Sequence, residues 1–182
     1  MVKNRRRLKW PSNFHAVQFY LDEDFLIRSV CSFVTDALEK NGTVIAVATD
    51  AHCTKLKESV QHLDHGKLIL ADAEDFLSQF MRDGTPDKTR FLRAFGKLQK
   101  QVTPGSRVFV YGEMVAILCS QGLHRAAIGL EQLGGVLSSE YDASILCVYP
   151  SSVFEPNKME FISEIHDTHT HLRAGHSMKP LS

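Results

Sequence analysis

The most constraining feature of the sequence is the stretch 107–133, RVFVYGEMVAILCSQGLHRAAIGLEQL. In it a short β-rich run, Val108–Tyr111, meets Gly112-Glu113-Met114 and passes at once into a long helical pattern. The same strand-to-helix step recurs along the chain. Phe14–Tyr20, Thr43–Ala48, Lys67–Ala71 and Ala143–Tyr149 also read as strands, each separated from the next by helical periodicity. Thr43–Ala48 is apolar throughout rather than alternating, as a strand buried on both faces must be. Parallel strands need long crossovers, and helices are the usual ones. The pattern predicts an α/β fold: a three-layer domain with a mainly parallel central sheet of at least five strands.

The intervening helices follow from apolar spacing. Leu26, Val30, Phe33, Val34, Ala37 and Leu38 form one stripe, with the acids Asp22, Glu23 and Asp24 at its start and Gly42 as its stop. Cys53, Leu56, Val60 and Leu63 form a second, and Gly66 turns the chain into the third strand. Asp72 caps a short helix carrying Phe76, Leu77 and Phe80. Thr85-Pro86 reads as an N-cap followed by proline at the first helical position, opening a helix with Phe91, Phe95, Leu98 and Val102. Leu123–Ser139 is the longest of the later helices, and its Ala126, Ala127, Gly129, Gly134 and Gly135 imply either close packing or fraying. Each glycine there costs about 1 kcal/mol relative to alanine. Asn157 and Glu160 have the spacing of a capping box for a last helix.

A chain of 182 residues without internal repeats is most naturally one domain. Lys plus Arg and Asp plus Glu balance at 21 each, yet five basic side chains and no acid stand in the first ten residues. The boundaries expected are a basic, flexible tail at 1–12, a single globular domain at 13–172 and a flexible C-terminal tail at 173–182. Nucleic acid is an expected partner only through the basic tail, whose contacts would be salt-sensitive. The four cysteines are scattered with no C-x-x-C pair, which suits buried thiols in a reducing cytoplasm. No apolar run reaches the roughly 18 residues of a membrane span.

Chemistry-bearing motifs are few. No glycine builds a phosphate-binding loop, and the first strand is followed by Leu21-Asp-Glu-Asp24, whose carboxylates would repel a triphosphate. The sequence therefore does not support conventional ATP or NAD binding, and a serine-nucleophile elbow is absent too. The reading is non-catalytic, with no cofactor required; the alternatives are a metal-dependent enzyme or metal-binding protein that uses the C-terminal histidines, and a protein-interaction or dimerisation module without ligand. In parallel α/β sheets ligands sit at the carboxyl ends of the strands. Those ends supply Tyr20, Asp22, Thr49, Asp50, Asp72, Glu74, Gly112, Glu113 and Tyr149, an acidic rim. Capping of helix N-termini is the competing role for Asp50 and Asp72, and strand-end anchoring for Glu113. His166, His169 and His171 cluster near Asp167, and imidazole with carboxylate suits zinc, iron or nickel. The alternatives are a pocket-lining role and plain surface exposure. His15 and His124 stand alone, where a structural hydrogen bond is the default.

Five motifs occur in order: His15–Tyr20 followed by acids, Phe80–Pro86, Gly112–Ala116, Gly122-Leu-His124 leading to Leu130–Leu133, and His169-Thr-His171. Together they resemble the MEDS domain, the sensory domain of methanogens, methylotrophs and a dichloromethane-responsive regulator, across about residues 13–172. The resemblance implies a RecA- and KaiC-like fold with a degenerate phosphate loop, in a bacterial or archaeal signalling protein that senses small molecules. It implies as partners a small-molecule ligand and a histidine kinase or transcription regulator; the small-residue helix at 123–139 separately makes a second copy of the chain a candidate. No output domain follows, so the chain reads as a free-standing sensor or as a piece of something longer. By position the resemblance points to His15, Gln18, Tyr20, Gly112, Glu113, Met114, His124, His169 and His171 as pocket or structural landmarks.

Overall fold

The computed structural model describes residues 13–62, 67–154, 159–174 and 177–181. Its centre is a seven-stranded sheet built from β1 (His15–Tyr20), β2 (Thr43–Ala48), β3 (Leu68–Asp72), β6 (Val108–Gly112), β7 (Ala143–Pro150), β8 (His171–Ala174) and β9 (Ser177–Pro180). The strand order is β3-β2-β6-β7-β1-β8-β9. Every pairing is parallel except the last, β8 with β9. A separate two-residue hairpin joins β4 (Met81–Arg82) to β5 (Thr85–Pro86).

Helices cover both faces. α1 (Glu23–Glu39) and α2 (Asp50–Ser59) pack on one face, while α3 (Ala73–Phe80), α4 (Lys88–Gln99), α5 (Met114–Ser120), α6 (His124–Glu140) and α7 (Met159–Thr168) pack on the other. The division follows the direction of travel. Connections moving toward β3 carry α1 and α2, and connections moving back toward β9 carry the remaining five. A single handedness for every parallel crossover requires this split.

Strand alternation assigns each side chain to a face. Phe14 and Ala16, with Val44, Ala46, Phe109, Tyr111, Leu146 and Val148, meet α1 and α2. Val17, Ile45, Val47, Val110, Ile145, Cys147 and Tyr149 meet the five-helix face. There Phe76, Phe80 and Phe91 pack edge to face at 5.6 and 5.1 Å between ring centroids, which ties α3 to α4.

The structure differs from the sequence expectations at three places. Thr85-Pro86 does not start the fourth helix: it forms β5, and Asp87 is the cap, its carboxylate accepting from the Arg90 N–H at 2.8 Å. The left-handed residue after α1 is Asn41 rather than Gly42. Residues 173–182, read as a tail, include parts of two strands, and Arg173 is buried with its Nη2 donating to the Ser29 carbonyl at 3.2 Å. The short β8 pairs only two residues with β1, and its apolar run is too brief to register as a strand. The basic tail at 1–12, Gly66, and the Asn157 of the expected capping box lie outside the described residues.

Gly42 serves close approach as well as the helix stop, where its N–H donates to the Ala37 carbonyl at 3.0 Å. A Cβ there would lie 2.5 Å from Cε2 of the Phe109 ring, which is itself fully buried. Gly42→Ala is expected to lower unfolding free energy by about 1–3 kcal/mol through overpacking. Gly135→Ala meets nothing within 4 Å and is expected to gain up to about 1 kcal/mol from helix propensity. Urea midpoints of the two variants, moving in opposite directions, check the assignment.

Candidate functional site

The connections leaving β2 and β6 diverge to opposite faces of the sheet, so their carboxyl ends border a switch-point crevice. Glu113 closes it. It sits just past the end of β6, is 3% exposed, and its own N–H donates to the Val47 carbonyl at 3.0 Å. One carboxylate oxygen accepts the Thr49 N–H at 2.9 Å. The other accepts the Tyr111 hydroxyl at 2.5 Å and lies 2.6 Å from His52 Nδ1. Burial and the adjacent Glu113 carboxylate push the Tyr111 phenol well above its ordinary range. Glu113 thus satisfies the first N–H of the α2 entry and ties β6 to β2.

A second constellation lies inside the five-helix face. His15 on β1 and Cys147 on β7 point to the same side because of strand alternation, and α6 passes above them. Glu131, on the buried stripe of α6 and 0% exposed, sits 2.9 Å from His15 Nε2 and 3.2 Å from His169 Nε2 through its Oε2. Its Oε1 accepts the Tyr149 hydroxyl at 2.6 Å. Cys147 Sγ is 3.6 Å from His15 Nε2, and the two imidazole rings lie 4.2 Å apart. Gly134 makes room for this, since a Cβ there would lie 3.0 Å from His15 Nε2.

His169 is placed by the clasp after α7. Thr170 donates its N–H to the His15 carbonyl at 2.8 Å, and its hydroxyl oxygen accepts the His15 N–H at 3.0 Å. Burial pulls the His15 imidazole below its usual value. Burial also disfavours the charged form of His169, but the Glu131 carboxylate and the Ile165 carbonyl outweigh it and raise the pKa. Burial opposes ionisation of Glu131 as well, and the two imidazoles nevertheless hold it well below the usual carboxylate range. Burial and Glu131 push the Cys147 thiol and the Tyr149 phenol well up. The cluster therefore favours the charged forms of Glu131 and His169 and disfavours the charged forms of His15, Cys147 and Tyr149.

Next to this cluster is an apolar cavity of about 40 Å³ between the sheet and the helices α4, α5 and α6. Gly112, Met114, Val115, Leu130 and Ile145 are among its walls, and Glu131 and Cys147 also border it. It lies directly beneath the carboxyl end of β6.

The structure divides the residues singled out from sequence among several roles. Gly112 and Met114 line the cavity, and His15 and His169 join the buried cluster. Asp22 and Asp72 cap α1 and α3, accepting from Phe25 N–H at 2.7 Å and Asp75 N–H at 2.9 Å. Thr49 and Glu113 bond to each other. Gln18 and Tyr20 lie on the opposite face, where Gln18 accepts the Ser29 hydroxyl at 2.8 Å. His124 packs edge to face on Phe161 at 4.8 Å. The three C-terminal histidines do not converge: His166 is half-exposed beside Asp167, His169 is buried, and His171 sits on β8 against Thr170 and Phe14.

His52, Glu131 and Cys147 were not among the candidate site residues read from sequence. Glu131 had a readable signal. It falls within the apolar stripe of Ala127, Leu130, Leu133 and Leu137, where a carboxylate needs a buried partner. His52 and Cys147 offered none, because only the fold brings them to their partners.

Among the described residues no helix is long and apolar enough to cross a membrane. A comparison with curated proteins returned no match. The family described as MEDS, the methanogen/methylotroph, DcmR sensory domain, matches residues 14–170. With a match over most of its length, and with the α/β fold already in place, the chain belongs to the MEDS family of sensory domains.

Proposed function

We propose that this domain senses a small, weakly polar molecule without turning it over, and that the molecule occupies the cavity beneath the carboxyl end of β6. The observation that carries the reading is the cavity itself: almost wholly apolar walls, with Glu131 as the one charged lining residue, and a volume of about 40 Å³. A water-sized probe needs roughly 10–15 Å³. The space therefore suits a molecule of about three heavy atoms. Such a ligand is recognised by shape and dispersion, with Gly112 and Met114 as wall residues and Glu131 as the one charged neighbour.

The relay runs through packed contacts. A ligand that shifts α6 moves Glu131, which holds His169 and with it the clasp that docks the C-terminal strands onto β1. The receiver is a partner protein in the cytoplasm, a histidine kinase or transcription regulator, that reads the position of this segment. A ligand shifts such an equilibrium only by its difference in affinity between the two states.

Methyl-labelled NMR titration with xenon and a panel of one- and two-carbon hydrocarbons and halocarbons tests the reading. Saturable shifts are expected at Met114, Val115, Leu130 and Ile145. Val115→Leu, which fills part of the space at a cost near or below about 1.5 kcal/mol, is expected to weaken binding at least about tenfold. Shifts confined to other methyls, or binding indifferent to Val115→Leu, would place the ligand elsewhere.

A further inference from the structure

The buried cluster contains more donor atoms than an ion pair needs. His15 Nε2, Glu131 Oε2, Cys147 Sγ and His169 Nε2 come from four different parts of the chain, and no two of the four donors are farther apart than 4.8 Å. Three of their separations are 2.9, 3.2 and 3.6 Å. Tetrahedral coordination by nitrogen, oxygen and thiolate at about 2.0–2.3 Å from a metal places donors about 3.3–3.8 Å from one another. The pre-existing spacing is close to this: the shortest pairs have to open by a few tenths of an ångström, about 0.4 Å at most for the lower bound, and the widest has to close by at most about 1.5 Å.

Hydrogen bonding does not account for the convergence. Glu131 Oε2 and His169 Nε2 are fully buried, yet neither makes a hydrogen bond of acceptable angle despite the short distances. Buried polar atoms are normally satisfied, and exceptions point to an ion, a water or a functional role. The outward-facing atoms of His169 and Glu131, by contrast, have partners, while His15 Nδ1 has none. His169 Nδ1 lies 2.6 Å from the Ile165 carbonyl, and Glu131 Oε1 accepts from Tyr149. Such contacts fix which atom of a metal ligand faces the centre. Here they leave Nε2 and Oε2 turned inward.

Two imidazoles, one carboxylate and one thiolate select a borderline divalent ion and disfavour calcium or magnesium, which take oxygen ligands. The carboxylate and thiolate also balance a charge of plus two, so the loaded site is neutral within the core. We propose that His15, Glu131, Cys147 and His169 bind one divalent transition-metal ion, zinc(II) in the first place, in a four-coordinate site between the sheet and α6. The site shares Glu131 and Cys147 with the cavity wall but does not rest on the cavity reading. Its consequence is mechanical: the ion would pin the segment after α7 to β1, β7 and α6 at once.

The test uses the full chain purified without a histidine tag and treated with chelator, offered cobalt(II) both as native protein and during refolding. One equivalent is expected to bind with the visible absorption of a tetrahedral site and a thiolate-to-cobalt charge-transfer band, and zinc(II) is expected to displace it. Cys147→Ser should abolish the charge-transfer band, with far-UV circular dichroism confirming the fold. If that variant does not fold, Tyr149→Phe decides, with an expected loss of about 10–100-fold in affinity. His166→Gln should change nothing. Failure to take up cobalt under either condition, a band that survives Cys147→Ser, affinity unmoved in Tyr149→Phe, or uptake lost in His166→Gln would overturn the proposal.

Discussion

Glu131→Ala in chelator-treated protein is expected to cost about 3–5 kcal/mol of unfolding free energy, the range for breaking a buried ion pair by removing one partner. Glu131 is 0% exposed and is approached by His15, His169 and Tyr149 together. Its loss leaves His169 to burial, which drives the imidazole to its neutral form, and leaves the Tyr149 hydroxyl without its acceptor. The same cluster sets the pH dependence. The folded pKa of His169 lies above 6.5, so its contribution is complete below 6.5 and fades as pH rises through the folded value. The folded pKa of His15 lies below 6.5, so its contribution is complete above 6.5 and is lost as pH falls through the folded value. Glu131 adds a further loss as pH falls from 4.5 toward its depressed folded value. Stability should therefore pass through a broad maximum near pH 6.5. Glu131→Ala removes what raises His169 and should abolish the decline on the alkaline side. Urea midpoints across about pH 5–8, measured for both proteins, check the sign on each limb.

Glu113→Ala is the second large effect expected. The side chain accepts from Thr49 and Tyr111 and lies against His52, all from a position 3% exposed. Truncation leaves the Tyr111 hydroxyl, which has no exposed surface, and the Thr49 N–H without their acceptor. At about 1–3 kcal/mol for each of the two stranded groups, the loss should reach about 2–6 kcal/mol. Tyr111→Phe alone should cost less, because it removes the donor along with the need for an acceptor. A double-mutant cycle of the two should return a coupling of about 0.5–3 kcal/mol, as residues in direct contact do. If Glu113 instead held the ligand, its removal would abolish binding of the cavity probes while leaving urea midpoints nearly unchanged. The account predicts the reverse.

The two glutamates show how much was legible in the sequence. Apolar runs and helical spacing were enough to predict the parallel α/β architecture, because burial on both faces leaves a strand no polar alternation, as in Thr43–Ala48. Gly112-Glu113-Met114 could be placed at a strand end for the same reason. What the local pattern could not carry was the strand order. Only that order puts Thr49 beside Glu113 and sets β1 next to β7, so that His15 meets Cys147 on one face. The C-terminal histidines were readable as a group, but their separation depends on where α7 ends. His169 turns inward at that end while His166 stays on the helix surface. The hairpin at Met81–Pro86 was missed because a proline after threonine suits a helix start and a short strand equally well.

The claim at the centre of the account is that the sensing site is the apolar cavity under the carboxyl end of β6 and not the acidic rim above it. Diffraction from a crystal pressurised with xenon tests this directly. The account predicts a single ordered xenon between Met114, Val115, Leu130 and Ile145, with Glu113 still bonded to Thr49. Xenon bound only along the rim beside Glu23 and His52, or none in a cavity whose walls are otherwise unchanged, would contradict it.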